Sequence, residues 1–395
     1  MQSRHYPIIL LFTVLQLVIL LTFGYTPYPD SEGYITLAND ALSHHQLYPV
    51  DTKINEYAFL WNLGAINIVQ LSLWFFNSVM PLLVLYSIMK GATAWFLYAI
   101  TEKLFSQRVA FIALCLYCLY PANYGESTSV HSELPFTFFM MLALWLCVCQ
   151  QKCFMAGIAL AVSNWIRPMG LVFLLSMLIY LFVNWRKSCR LIIGYVAIIL
   201  IIGTINYQRT GLFLYQAKSG WFCLSDYSTN HSDASLAIRE RSDLNVAQKD
   251  SAWQSLFMDW LKEHPTEYVA QMPGKLINTY VSDNVNMCAF IPDKANSEYM
   301  YDEISMRTLV RSFPRFSAVQ WLTILNLLVY YLLLITAIWS LFYFRRENSL
   351  LPVSIILLGT LLLLFVGHGE ARFHQPFMPF VIMLSASLIK KKAGV

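Results

Sequence analysis

The chain has 395 residues, 57% hydrophobic and only 13% charged, with a mean hydropathy of +0.52. An average soluble domain carries about 25% charged residues, so this composition excludes a water-covered globular protein and leaves an integral membrane one. The net charge of +4 excludes little alone, because charge in such a chain is sorted by side.

A membrane-crossing helix needs around 20 apolar residues, and the apolar runs are taken here in chain order. The first, 8–23, follows Arg4 and His5 but lacks a small-x-small cleavage site; Gly24, Tyr25 and Pro27 come instead, so it reads as a retained first span. Beyond it, "PDSEGYITLANDAL" carries Tyr34, Ile35, Leu37, Ala38, Ala41 and Leu42 at helical spacing, with Asp30 or Ser31 placed as an N-cap. The run 59–76 holds Asn62, Asn67 and Gln70 and is closely followed by Pro81, which predicts a helix lying in the interface, with an extra span as the alternative. Spans are expected at 80–100, 109–121, 134–150, 154–166, 168–184, 190–206, 319–344, 350–367 and 376–389. The pair 154–166 and 168–184 is broken at Arg167-Pro168, and its first member is short enough to be a partial span. Between 207 and 318 the chain turns polar. There Trp253, Leu256, Phe257, Trp260 and Leu261 mark an amphipathic helix that Pro265 ends.

The expected fold is therefore an all-α polytopic bundle of about ten transmembrane helices. It divides into an N-terminal transmembrane module, 1–206, with a first outer loop at 24–79; an outer-face region, 207–318; and C-terminal transmembrane helices, 319–395. Charge orients it. Arg4, Lys103, Arg108, Lys152, Arg186, Lys187, Arg190, Arg345, Arg346 and Lys390 to Lys392 share one side with only Glu102 and Glu347. By the positive-inside rule that side is cytoplasmic, and the two long segments face outward, into a periplasm or a lumen.

The eight cysteines form no metal pattern: Cys115 and Cys118 sit inside an apolar run without a second pair. Cys223 and Cys288 fall in the polar region, where an oxidising compartment would permit a disulfide and two free buried thiols are the plainer reading.

The outward loops carry the chemistry. Asp30 and Glu32 lie just past the first span; Glu126, His131 and Glu133 lie in "YPANYGESTSVHSELPF"; Glu370 and Arg372 lie in "GHGEARFHQPFMP". Glu133 stands at the mouth of a span, where a charge is costly unless used or solvated. Acids from two loops and a base from a third on one membrane face suit a reaction on a lipid-borne substrate. Glycosyl transfer from a polyprenyl-phosphate sugar fits: a carboxylate takes the acceptor hydroxyl proton as the oxygen attacks the anomeric carbon. Phosphate leaves, and an arginine can bind its charge bidentately. Lys90, about ten residues into the second span, is a functional candidate by depth and a second candidate for the carrier phosphate. Each residue also has a plain reading: Asp30 as a helix cap, Glu133 as a favourable charge at a helix N-terminus, Arg372 as an interfacial anchor. Glu32 and Glu126 read equally as solvated loop acids, and His131, His368 and His374 as metal ligands or proton sensors without supporting spacing. Arg167 reads as structural, pairing with carbonyls freed at the helix break.

Five segments in order resemble the GT-C superfamily of integral membrane glycosyltransferases, in its protein O-mannosyltransferase and aminoarabinose transferase branch. They are "PDSEGYITLANDAL"; the stretch from "KLFSQRVAF" through Ser132-Glu133; "AGIALAVSNWIRPMGLVF" with Arg167-Pro168; "NYQRTGLFLYQAKSGW" with Thr210-Gly211; and "GEARFHQPFMPFVIMLSA". The resemblance implies Asp30 as catalytic base, Glu133 as second acid of the cavity, and Arg372 as ligand of the carrier phosphate. It also implies juxtamembrane helices in the first outer loop and a small outer-face segment between spans 7 and 8. One departure stands out: the mannosyltransferases carry a paired Asp-Glu, whereas Ser31 separates Asp30 from Glu32 here.

The expected activity is an inverting transfer of one hexosyl or pentosyl unit at the outer face, in a multi-pass protein of a bacterial inner membrane. Its partners would be a polyprenyl-phosphate sugar, a lipid, glycan or protein acceptor, and the bilayer, with no nucleic acid. No cofactor is required, and a divalent metal is left open. Two rivals remain. A ligase or polymerase of pyrophosphate-linked oligosaccharides would place more bases in the outer loops. A transporter or flippase would bury charges deep in several spans.

Overall fold

In the computed structural model, residues 5–46, 60–229, 233–292, 294, 297–343, 349–367 and 369–388 are described. His368, Arg4, Arg345, Arg346 and Lys390 to Lys392, used above, lie outside them. Every regular element among the described residues is helical. Lipid offers the backbone no hydrogen-bond partner, so a spanning segment must satisfy its amides internally.

The chain begins with α1 (His5–Phe23), an apolar rod, then α2 (Pro29–Ser43) and α3 (Leu63–Phe76) of the first outer loop. Next come α4 (Met80–Leu104), α5 (Gln107–Leu119) and the short α6 (Ala122–Gly125), which runs into a 3-10 turn, Glu126–Thr128. The chain then bends by 112° into α7 (Glu133–Val148). Helices α8 (Cys153–Ile166) and α9 (Gly170–Tyr180) flank the Arg167-Pro168 break, and α10 (Trp185–Thr210) leaves the bundle through Gly211. The polar segment after α10 folds as α11 (Gly220–Ser228), α12 (Asp233–Glu240), α13 (Val246–Glu263) and α14 (Pro265–Tyr280), a 3-10 turn Val285–Phe290, α15 (Ser297–Glu303) and α16 (Met306–Ser312). Helices α17 (Ala318–Tyr343) and α18 (Leu350–Phe365), a 3-10 segment Ala371–Phe377 and α19 (Met378–Ser387) complete the chain.

By length and composition, α1, α4, α10 and α17 can each cross a membrane alone, and the bent pair 122–128 with α7 makes a fifth. Helices α3, α5, α8, α9 and α18 are apolar but shorter. The sequence reading of about ten spans thus reduces, on length alone, to four or five. The cause is visible at α5: its 13 residues extend about 20 Å, short of a hydrocarbon core of roughly 30 Å.

Two glycines let α8 and α10 approach closely. A Cβ at Gly157 would run into the backbone at Leu191, and one at Gly194 into the backbone at Phe154, the small-residue contact that replaces the hydrophobic effect between helices in lipid. The main core then joins α4–α9 to α17–α19, with Phe173 stacked on Phe377 at 6.1 Å and edge-on to Phe136 at 5.6 Å. A second core, with Tyr34, Ala38, Ile66, Leu83 and Tyr86, fixes α2 and α3 onto α4. The predicted amphipathic helix is α13: Trp253 and Phe257 are buried, and the Trp253 indole donates to the Ser235 carbonyl at 3.1 Å. Its start differs from the sequence reading because Asn245 and Gln248 close a capping box one turn earlier. Cys223 and Cys288 are free thiols.

Candidate active site

The first outer loop is anchored before it reaches Asp30. The Thr26 amide donates to the Thr128 carbonyl at 2.9 Å, and Lys294 donates to the Phe23 carbonyl at 2.7 Å and the Thr26 hydroxyl at 2.8 Å. Helix α2 opens from an extended Tyr28, with Pro29 at its first position. The N-cap is therefore Tyr28, not Asp30 or Ser31 as the sequence predicted. Proline at the first position, which has no amide to satisfy, makes a side-chain cap less necessary. Ser31 instead donates to the Val130 carbonyl at 2.6 Å, and Asp30, in the first helical turn, is left to face inward.

Glu133 enters by the 112° bend, at the first position of α7, and its side chain is only 2% exposed. A carboxylate there is favoured by the helix dipole, but burial demands partners. Arg167, extended in the break between α8 and α9, supplies one at 2.9 Å and donates to Ser132 Oγ at 2.8 Å. His131 supplies another: Nδ1 meets Glu133 at 3.2 Å, while Nε2 meets the Glu126 carbonyl at 2.8 Å.

Arg372 arrives from the other end of the chain. Gly369, at φ +74°, makes the left-handed turn between α18 and the 3-10 segment that carries Arg372. Arg372 Nη1 donates to Asp30 Oδ2 at 2.5 Å. Its other edge meets Glu370 twice, Nε to Oε1 at 2.7 Å and Nη2 to Oε2 at 3.1 Å, and Nε stands 3.8 Å from Glu133. Burial would lower the guanidinium pKa, but Asp30, Tyr28, Glu370 and Glu133 outweigh it and hold the group well above its ordinary value. Arg372 is charged at every working pH.

Asp30 and Arg372 lie on a cavity of about 1100 Å³. Trp61, Asn62 and Arg167 share its polar end; Asn62 donates to the Tyr34 hydroxyl at 2.7 Å and to Ser132 Oγ at 3.0 Å. Away from it the wall becomes apolar, with Leu171 and Leu175 of α9, Ile199 of α10, and Leu358 and Leu362 of α18. Residues of the outer-face region, among them Tyr215, Phe222 and Tyr227, line its outer side. Glu133 is not on this wall; it reaches the cavity through Arg167 and Arg372.

The other predicted residues fall elsewhere. Glu32 is exposed and off the cavity. Lys90 pairs with Glu126 inside the bundle, beside a void of about 20 Å³ that Tyr117, Tyr120, Asp283 and Gln375 also line. The sequence expectation that Lys90 meets a carrier phosphate meets a different geometry: an adjacent carboxylate satisfies the ammonium where it is. Asp283, in the closed cluster around Lys90, had no sequence signal. Glu370 was noticed only as a loop acid. Asp283 accepts from the Tyr120 hydroxyl and from Gln375 at 3.3 Å, and its backbone carbonyl accepts from Asn326 at 2.7 Å. Burial would raise the Asp283 pKa, but His374, 3.7 Å away, and hydrogen bonds from Tyr120 and Gln375 prevail and lower it. Among the described residues no group of three His, Cys, Asp or Glu side chains is arranged to hold a metal ion.

Residues 68–206 match the family model described as dolichyl-phosphate-mannose-protein mannosyltransferase, a domain of the GT-C superfamily. The match covers about a third of the chain; it contains Lys90, Glu126, His131, Glu133 and Arg167 and stops short of Asp30 and Arg372. No curated protein gives a significant match.

Proposed function

We propose that this membrane protein, which carries a GT-C glycosyltransferase domain, moves one sugar from a polyprenyl-phosphate donor to an acceptor hydroxyl at the outer face of the membrane. The observation that carries the proposal is the single cavity with a charged end, Asp30 beside Arg372, and an apolar wall along α9, α10 and α18. At about 1100 Å³ it exceeds the 300–1,000 Å³ range of ordinary small-molecule pockets, as a sugar phosphate with the head of an isoprenoid chain requires. In this reading all ten apolar runs belong to the membrane bundle, with the shorter helices crossing it partially.

The chemistry follows from charge placement. Arg372 binds the donor phosphate and stabilises the charge that grows on it as the glycosidic bond breaks. Asp30 accepts the proton of the acceptor hydroxyl while its oxygen attacks the anomeric carbon from the opposite face, so the centre inverts. The bonding electrons leave with the phosphate, so no strong acid is needed. Glu133, held by Arg167 and His131, acts from behind the wall by fixing the two arginines rather than by moving a proton. The mannosyltransferase match favours a hexosyl donor; the sidedness of the basic residues favours a site on the face away from the cytoplasm.

The test is a panel of polyprenyl-phosphate sugars offered to the protein in nanodiscs, following release of polyprenyl phosphate. One donor should turn over. Asp30→Asn should bind that donor without releasing phosphate, and Arg372→Ala should lose binding. If no donor binds and Asp30→Asn matches wild type in every assay, Asp30 is only a first-turn helix residue and the reading fails.

A further inference from the structure

The geometry points to Arg372 as a shared ligand that the donor phosphate takes from Asp30, with Glu370 as the residue that positions it throughout; the inference rests on the glycosyltransferase reading above. The Arg372 guanidinium is divided between two carboxylates. Its Nε/Nη2 edge is held by both oxygens of Glu370, at 2.7 and 3.1 Å, from a residue two positions away on the same backbone segment. Its remaining end makes one contact, Nη1 to Asp30 at 2.5 Å. Nη2 donates a hydrogen bond to Glu370 and Nε meets it as a close ion pair, so Glu370 holds two guanidinium nitrogens where Asp30 holds one. An incoming phosphate, itself anionic, therefore competes for Nη1 and leaves the Glu370 edge intact.

The consequence is an order of events. While Asp30 Oδ2 is tied to Arg372 Nη1, that oxygen is not free to take the acceptor's proton. Once phosphate occupies Nη1, Asp30 Oδ2 is released towards the cavity, where an acceptor hydroxyl can meet it. Transfer then balances: the acceptor O–H proton goes to Asp30, the new C–O bond forms at the anomeric carbon, and the C–O bond to phosphate breaks with its electron pair leaving on polyprenyl phosphate. Donor must bind before the base is available, which guards an acceptor hydroxyl or water from activation in an empty site. Exposure agrees with these roles: the Asp30 side chain is 27% exposed on the cavity, and Arg372 is 14% exposed.

The experiment measures binding of polyprenyl phosphate, the leaving product, to the full-length protein in nanodiscs. Removing the competitor should tighten it: Asp30→Asn is expected to bind about tenfold more strongly than wild type, the size of one charge-assisted contact. Asp30→Ala removes the same carboxylate and serves where the Asn variant does not fold. Glu370→Gln should weaken binding and raise the donor KM more than it lowers kcat, and Glu370→Asp should restore part of the affinity. Wild-type or weaker affinity in both Asp30 variants overturns the competition, and unchanged affinity in Glu370→Gln overturns the positioning. If Arg372→Ala binds like wild type, or wild type does not bind at all, the glycosyltransferase reading itself fails, a separate outcome.

Discussion

Charges are paired both around Arg372 and around Lys90, and the two clusters differ in what they face. At Asp30, Glu370 and Arg372 the ion pairs border a cavity of about 1100 Å³. At Lys90, Glu126 and Asp283 the pairs close around a void of about 20 Å³, room for about one water. Burial makes unpaired charge costly in both places. Only the first leaves an ion pair where a substrate can enter and take one partner, whereas the second can only hold helices together. A charge within a membrane bundle is therefore weighed by the space beside it as well as by its depth.

The comparison breaks most visibly at Asp30. Its conversion to Asn should cut kcat by about 10²–10⁴, the range for a general base, with no matching loss of thermal stability. A large fall in the unfolding midpoint with little change in kcat would exchange the roles of the two clusters. The next effect belongs to the closed cluster. Lys90→Met leaves Glu126 buried and unpaired and should cost about 3–5 kcal/mol of stability. Lys90→Met combined with Glu126→Gln should recover much of that loss. Recovery measured by denaturant unfolding would mark the pair as structural, and donor binding that falls with Lys90 while stability holds would return Lys90 to the phosphate.

Asp283 sharpens the same division through pH. Its folded pKa is lowered, so the unfolded chain takes up the proton first as pH falls. The stabilisation is present above the ordinary carboxylate range and is lost as pH drops through it towards the folded value. Wild type should therefore lose unfolding midpoint below about pH 4, and Asp283→Asn should show a flatter curve from a lower plateau. Identical acid slopes would remove Asp283 from the closed cluster's stability.

Smaller effects test the cavity wall. Leu175→Trp adds bulk to the apolar side and should raise the KM for long-chain donors about tenfold, the scale of a poorly accommodated hydrophobic group, while a short-chain donor keeps its KM. Equal changes for both chain lengths would place the lipid elsewhere. Glu32→Gln, exposed and off the cavity, should change stability by less than about 0.5 kcal/mol and leave kcat unaltered.

Much of the fold was legible because apolar runs and breaks are local. The Arg167-Pro168 break, the stripe through Trp253 and Phe257, and the apolar run ending at Phe76 all map onto helices or their ends. Span count was less legible, because helices such as α5 and α8, with 13 and 14 residues, are apolar yet too short to cross alone. The start of α2 was misplaced because Pro29 substitutes for the cap that Asp30 seemed to offer. At the site, sidedness brought Asp30, Glu133 and Arg372 to one face, but depth was hidden. Glu133 lies behind the wall because Arg167 and His131 meet it there. The pairing of Tyr120 with Asp283 joins residues 163 positions apart, and no local pattern encodes such a contact.

The most direct measurement is a cryo-electron microscopy structure of Asp30→Asn in nanodiscs with a turnover-competent polyprenyl-phosphate sugar. Phosphate density on Arg372, with the isoprenoid chain running between α9, α10 and α18, is the expected result. Donor density at Lys90, or outside the large cavity, would contradict the assignment of that cavity as the place where the sugar is transferred.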